Sequence, residues 1–446
     1  DIIHKALNDI FQKGLIIKEW NHTFIHLIPK KDHSTCIQDF RPIACCNTLY
    51  KVFSKILCNR LGPFLDKLVS HNQTAFIKGR SIGDGILLAH ELIRGLGRKD
   101  NKYMCIKVDL KKAYDSINRD FVIHMLRSLG FTDKWIKIIG NLIKTPVFSI
   151  IVNGEAHGYF KGSNGLRQGD PLSPILFTLV MEYFTLLMEE KVRDGLISPV
   201  TDFGNKLTHL IYADDIILFT KANVQTAYAI NEVFKTLKRV TGLELSAEKS
   251  NIFFGKGVDG CTDICSILNI QQSTLPIRYL GIPLSSVNLR DKDCSPLIEK
   301  IKVRIGRWET KMLSLAGRLE LIKSTIYPII QFWMQCFYLP IATVQKIKHM
   351  ILNFLWKSRS SKIPWEVLSR QKEEGGMGLR NLEEMNKALY IKLIWKIINL
   401  EGSWAVFMHG KYIGLKSFWD TNQRSDDSGV WKCILKNRHE ALKCLS

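Results

Sequence analysis

Two adjacent aspartates, Asp214 and Asp215, stand at the centre of the run IYADDIILF (211–219), between two apolar stretches that read as strands. Adjacent carboxylates held rigidly at a turn repel each other, and burying them requires a cation. A third aspartate, Asp109, closes an apolar run in IKVDLKKAYDSI (106–117), with Tyr114 and Asp115 following where a helix should start. If strand 104–109 pairs with a hairpin over 207–219, Asp109 faces Asp214. Three carboxylates converging on a sheet edge suit two Mg2+ ions, one lowering the pKa of an attacking hydroxyl and the other neutralising a leaving pyrophosphate. Taken singly, each fragment also has a plain reading, as a solvated Asp turn or as a strand-ending Asp that caps the next helix.

Two further segments carry candidate binding residues. In SNGLRQGDPLSPILF (163–177), Gly165, Gly169 and two prolines predict a tight loop before a helix. Gln168 and Gly169 can then lie flat against a base pair or a template backbone; the plain alternative is a loop that only starts the helix. In HLIPKKDHSTCIQDFRPI (26–43), Lys30, Lys31 and Arg41 could meet a triphosphate, with Arg41 supplying a bidentate fork. The alternative there is a solvated basic loop. His22, His26 and His33 lie near Cys36, but no pair spacing fits a zinc site.

The elements that must position these residues follow from periodicity. Residues 1–30 read as a helix and then a strand, and 40–70 as a helix with Leu49, Val52, Phe53, Ile56, Leu57 and Leu61 at 3–4 spacing. A second amphipathic helix covers 83–97. Met104, Ile106 and Val108 alternate with Cys105, Lys107 and Asp109 at the period of a strand. Helix 119–130 ends at Gly130, and helix 224–241 at Gly242. Asn153-Gly154 between apolar runs predicts a hairpin over 147–160, and Ser173-Pro174 an N-cap followed by Pro at the first helical position. After about residue 290 the chain reads as mostly helical, anchored by Trp308, Trp333, Trp356, Trp365, Trp395 and Trp404. This order is α+β with an antiparallel sheet.

At 446 residues the chain is too long for one compact core. With 46% apolar and 24% charged residues it is not a disordered chain. Lys and Arg number 63 against 42 Asp and Glu, a formal charge of +21 spread along the whole length. That distribution favours an extended nucleic-acid groove over a membrane-docking tail. Eleven irregularly spaced cysteines with no CxxC pair read as reduced thiols of an intracellular protein. The most apolar long window, Ser324–Val344, contains two prolines and two glutamines and reads as buried helix, with no membrane span. The chain opens on Asp1, which reads as a fragment of a longer protein.

In chain order the four chemical segments resemble the motifs of reverse transcriptases: a basic fingers loop, the first catalytic aspartate, an LPQG-like loop and a YxDD box. QTAFIKGRSIGDGI (73–86), TGLELSAEKSNIFF (241–254) and RYLGIPL (278–284) are similar to further blocks of the non-LTR, LINE-type retrotransposon enzymes. The segments 314–340 and 375–397 resemble the thumb and post-thumb regions of such elements, which are abundant in plant genomes. The resemblance covers nearly the whole chain.

The resemblance implies a right-hand polymerase with fingers over 1–103, palm over 104–275, a helical thumb over 285–345 and a helical region over 346–446. It implies Asp109, Asp214 and Asp215 as metal ligands and Tyr114 as the residue under the incoming sugar, where its ring excludes a 2′-hydroxyl. It further implies Gln168 and Gly169 beside the nascent base pair, and Lys249 as proton donor to the pyrophosphate. The implied activity is RNA-directed DNA synthesis from dNTPs on a primer 3′-hydroxyl, with an RNA template, a DNA primer or target, and an endonuclease domain elsewhere on the polyprotein. A nuclear site, or a cytoplasmic ribonucleoprotein, follows from that activity alone, since no targeting signal is visible. An RNA-dependent RNA polymerase must admit the 2′-hydroxyl, which Tyr114 opposes. An intron-maturase-type enzyme is closer in fold, but the tryptophan-rich C-terminal block differs. A catalytically silent RNA-binding remnant would keep the fold and lose primer extension.

Overall fold

The computed structural model describes residues 2–31, 33–202, 205–286, 289–309, 312–357 and 363–445. Asp1 and Asp32 lie outside them.

The strand Tyr103–Val108 is the axis of the chain. It pairs antiparallel with Asp215–Lys221 on one side, Val108 opposite Ile216, and with Asn251–Phe254 on the other, Ile106 opposite Ile252. His209–Tyr212 and Gln271–Gln272 complete a five-stranded sheet, antiparallel except for the contact between Asn251–Phe254 and Gln271–Gln272. The alternation over 104–109 marks a strand as expected, but its faces do not divide into polar and apolar. Met104, Ile106 and Val108 enter a core shared with helices Ser173–Arg193 and Val224–Thr241. Cys105 enters a second core with helix Ile82–Leu96 and the C-terminal helices. Helices pack against both faces, and Lys107 is half-buried on the Cys105 face.

A second sheet runs in the order Phe40–Cys46, His22–Pro29, Val147–Val152, Glu155–Lys161. Residues 40–46, read as the start of a helix, form its edge strand. Pro42 would break a helix interior and is tolerated on an edge. The helix begins at Thr48, capped by Asn47, whose side chain accepts from Leu49 N. The hairpin at Asn153-Gly154 is present, with φ of +52° and +89° at the two turn residues. Both positive angles match the twist of the flanking strands.

The C-terminal half is helical, as read. Ser324–Val344 is not one span: helix Tyr327–Met334 ends, and Ile341–Trp356 begins after Pro340. Among the described residues no helix is long and apolar enough to cross a membrane. This region docks on helix Ile82–Leu96 through two buried ion pairs, Lys396 to Asp84 at 2.7 Å and Lys411 to Glu91 at 3.2 Å. Trp404 and Trp431 are fully buried there, whereas Trp395 is half exposed.

Candidate active site

The turn between His209–Tyr212 and Asp215–Lys221 consists of Ala213 and Asp214, with Ala213 at φ +56°. The segment 72–75 holds it from outside. Ile211 N donates to Asn72 O at 2.8 Å, Thr74 N donates to Ile211 O at 3.0 Å, and Ala213 N donates to Gln73 Oε1 at 3.2 Å. Asp109 is clamped through its backbone by the turn 246–250: its N–H donates to Ser250 Oγ at 3.1 Å and its carbonyl accepts from Ser246 N at 2.8 Å. The register that pairs Val108 with Ile216 brings Asp109 level with Asp215, one residue from the Asp214 facing read from the sequence.

Burial raises the carboxyls of Asp214 and Asp215 above their ordinary value. The Asp109 charge adds to both, and Asp214 adds to Asp215. Lys107 offsets part of this at Asp215. None of the three aspartates enters an ion pair among the described residues. Nor do any three His, Cys, Asp or Glu side chains there converge closely enough to hold a metal ion. The three carboxylates thus share a sheet end and repel one another without closing to ligand distance. Their oxygen donors, and the repulsion that Lys107 only partly offsets, fit a hard divalent cation.

Tyr114 follows on the short helix Ala113–Ser116 and stacks on Phe177, ring centroids 4.7 Å apart and planes 14° from parallel. Burial, and to a lesser extent the Asp214 charge, push its hydroxyl up to about 12. The glycine loop joins this segment to the other sheet. Leu166 N donates to Tyr114 O at 2.7 Å, and Ala44 N donates to Gln168 O at 2.8 Å. Gly169 sits at φ +116°, where a Cβ would meet Ala44 O at 2.7 Å. Its lack of a side chain is used by the protein's own edge strand.

The basic loop is partly engaged with itself. Lys31 pairs with Asp39 at 2.6 Å, and Lys30 Nζ donates to Gln38 O at 2.7 Å. Lys30 still lies close enough for its charge to act on Asp115. Arg41 is exposed and has no ionic partner among the described residues. Lys249 is exposed on the turn that clamps Asp109. His22, from the zinc reading, has Ser149 Oγ 2.9 Å from its ring.

Three supporting residues escaped the sequence reading. Asp170, 3% exposed, accepts from Tyr50 OH (2.9 Å), Ser54 Oγ (2.5 Å), Leu172 N (3.1 Å) and Ser173 Oγ (3.2 Å). Ser173 is therefore the first helical residue, spent on Asp170 instead of capping. Arg119 donates to the carbonyls of Gly162, Asn164 and Gly165, clamping the loop; burial lowers its guanidinium to about 10. Gln73 holds the aspartate turn. Each is polar and buried at long sequence separation, so no local pattern announces it; the one cue was that each sits within or beside a chemical segment.

Carboxylates at one end of an antiparallel sheet, joined by a glycine loop to a second sheet with a basic hairpin, define the right-hand polymerase class. The family model for reverse transcriptase (RNA-dependent DNA polymerase) matches residues 28–284, and the chain belongs to that family. It is 25% identical over 381 residues to the transposon TX1 uncharacterized 149 kDa protein of Xenopus laevis, covering 84% of this chain and 29% of that protein. It is 23% identical over 386 residues to the Pol polyprotein from the type-2 retrotransposable element R2DM of Drosophila melanogaster, covering 83% and 35%. Among solved structures, telomerase from Candida tropicalis in complex with a telomeric RNA fragment aligns with 99% of this chain and 65% of that one, at TM-score 0.45 and 15% identity. The chain spans about a third of the length of the curated relatives it matches. The motif resemblance to non-LTR retrotransposon enzymes is matched by relatives of that kind.

Proposed function

We propose that the chain catalyses RNA-templated DNA synthesis, transferring a nucleotide from a dNTP to a primer 3′-hydroxyl. The observation that carries this reading is the placement of Asp109, Asp214 and Asp215 at one sheet end, with Tyr114 on the short helix that follows Asp109, stacked on Phe177. Two Mg2+ ions held by these aspartates would lower the pKa of the 3′-hydroxyl and neutralise the leaving pyrophosphate. The chain's own work is positioning, because phosphoryl transfer leaves little covalent chemistry to a protein. The turns 72–75 and 246–250 fix the aspartate backbones. Tyr114, rigid against Phe177, lies under the sugar and excludes a 2′-hydroxyl. Gln168 sits beside the nascent pair, and Lys249 gives a proton to the pyrophosphate. Arg41 and Lys30 hold the triphosphate, with Lys31 contributing less because Asp39 already neutralises it.

On this reading the fingers span 1–103, the palm 104–275, the thumb 285–345 and a helical region 346–446. The partners are an RNA template, a DNA primer or target and dNTPs, with an endonuclease on the same polyprotein and a nuclear place of work. The formal charge of +21 supports a groove that tracks phosphates. Primer extension on an RNA template, with and without Mg2+, tests the proposal; a folded chain that binds the duplex and never extends it would be the silent remnant.

A further inference from the structure

Phe76 is an exposed aromatic held at positive φ on the loop that braces the aspartate turn. Its φ is +61°, a region that a bulky aromatic almost never adopts. Its side chain is 49% exposed, while its neighbours Ala75 and Ile77 are 1% and 5% exposed. It makes no ring or cation contact among the described residues. The sequence therefore holds an aromatic ring outward, in a strained conformation, between two buried anchors.

The surrounding loop over-determines this conformation. Ala75 N donates to Gln73 Oε1 at 2.9 Å. Arg80 donates to the carbonyls of Val69 (2.7 Å), Ser70 (2.5 Å) and Gln73 (2.7 Å) and pairs with Asp66 at 2.9 Å. The same Gln73 oxygen accepts from Ala213 N, beside Asp214. Three residues of chain reach at most about 11 Å, so the ring projects from a rigid loop anchored on the catalytic turn. Strain that persists under such constraint belongs to functional positions. Lys78, two residues on, is exposed and has no ionic partner among the described residues.

We propose that Phe76 is a stacking platform for an unpaired nucleobase of the RNA template, close to the point where it enters the active site. An exposed ring beside an unpaired cation, on a chain of +21 charge, suits a single-stranded polyanion with π faces, and such stacking needs no particular base. The inference rests on the proposed polymerase reading and adds the residue that holds the template ahead of the base pair.

The test uses the full chain with a DNA primer on an RNA template, once blunt and once with a single-stranded template overhang carrying 2-aminopurine. Phe76→Gly relieves the positive φ, so it should melt at or above the wild-type temperature. It should bind the overhang duplex about 5- to 150-fold more weakly, as expected for one lost base stack, leave blunt-duplex binding unchanged and lose the quenching of 2-aminopurine. Phe76→Trp should retain both affinity and quenching. Unchanged overhang affinity in Phe76→Gly, or equal weakening on both duplexes, would overturn the proposal, as would a drop in melting temperature that accounts for the loss. A wild-type chain that quenches the overhang base but never extends the primer would refute the polymerase reading and leave the stacking role supported.

Discussion

Replacing Tyr114 by valine separates a sugar gate from a core aromatic. The ring stacks on Phe177 at 4.7 Å and is partly buried. Losing an aromatic pair costs about 0.5–1.5 kcal/mol, and trimming a half-buried ring to valine brings the total to roughly 1–3 kcal/mol, so the variant should remain folded. If the ring excludes a 2′-hydroxyl, its removal relieves a clash felt by rNTP alone. Admitting one hydroxyl is worth about 1.4–2.8 kcal/mol, or ten- to a hundredfold in relative kcat/KM. Single-nucleotide incorporation opposite template G, with dCTP and CTP compared, reads this directly. The dCTP/CTP ratio should fall by that factor, mainly through faster CTP use. Tyr114→Phe should keep the ratio, since the ring supplies the bulk and the hydroxyl stays protonated at neutral pH, its pKa about 12. An unchanged ratio in a folded Tyr114→Val protein, or equal loss with both nucleotides, would remove Tyr114 from the site and undermine the assigned role of Asp109.

Asp109→Ala, Asp214→Asn and Asp215→Asn should each reduce primer extension by several orders of magnitude. The last two should melt no lower than wild type without divalent cation, because each removes a repelling charge; wild-type-like synthesis by any of them would refute the assignment. Gly169→Ala forces a Cβ to 2.7 Å from Ala44 O at φ +116°, so it should cost about 2–4 kcal/mol in denaturant unfolding; an unchanged midpoint would mean that the loop does not dock on the edge strand. His209, fully buried at the head of the strand leading to the aspartate turn, has its imidazole lowered to about 3 by burial. The folded state then binds fewer protons than the unfolded chain between pH 6.5 and 3, so stability is full above 6.5 and declines as pH falls through that window. Melting curves from pH 7 to 4 should show this slope, and it should flatten in His209→Gln. Affinity for an RNA–DNA duplex should drop roughly 10³–10⁵-fold between about 50 and 200 mM salt if six to ten phosphates are contacted; a flat response would place the basic charge outside the groove.

What was legible in the sequence is what local chemistry specifies. The DD hairpin, the Asn153-Gly154 turn and the helix ends at Gly130 and Gly242 each depend on residues within one turn or strand of each other, so period and turn type reveal them. The chain order of the four chemical segments, from the basic loop to the DD box, carried the family resemblance. Tertiary structure decided what depends on partners far along the chain. Residues 40–46 became a strand because His22–Pro29 offered an edge, so the helix that the apolar spacing announces starts only at Thr48. The strand 103–108 buries residues on both faces because helices distant in sequence pack against each. Asp109 came level with Asp215 through a register set by cross-strand packing. Arg119, Asp170 and Gln73 became the struts of the site because buried polar groups must find partners wherever the fold supplies them, and those partners lie tens to more than a hundred residues away.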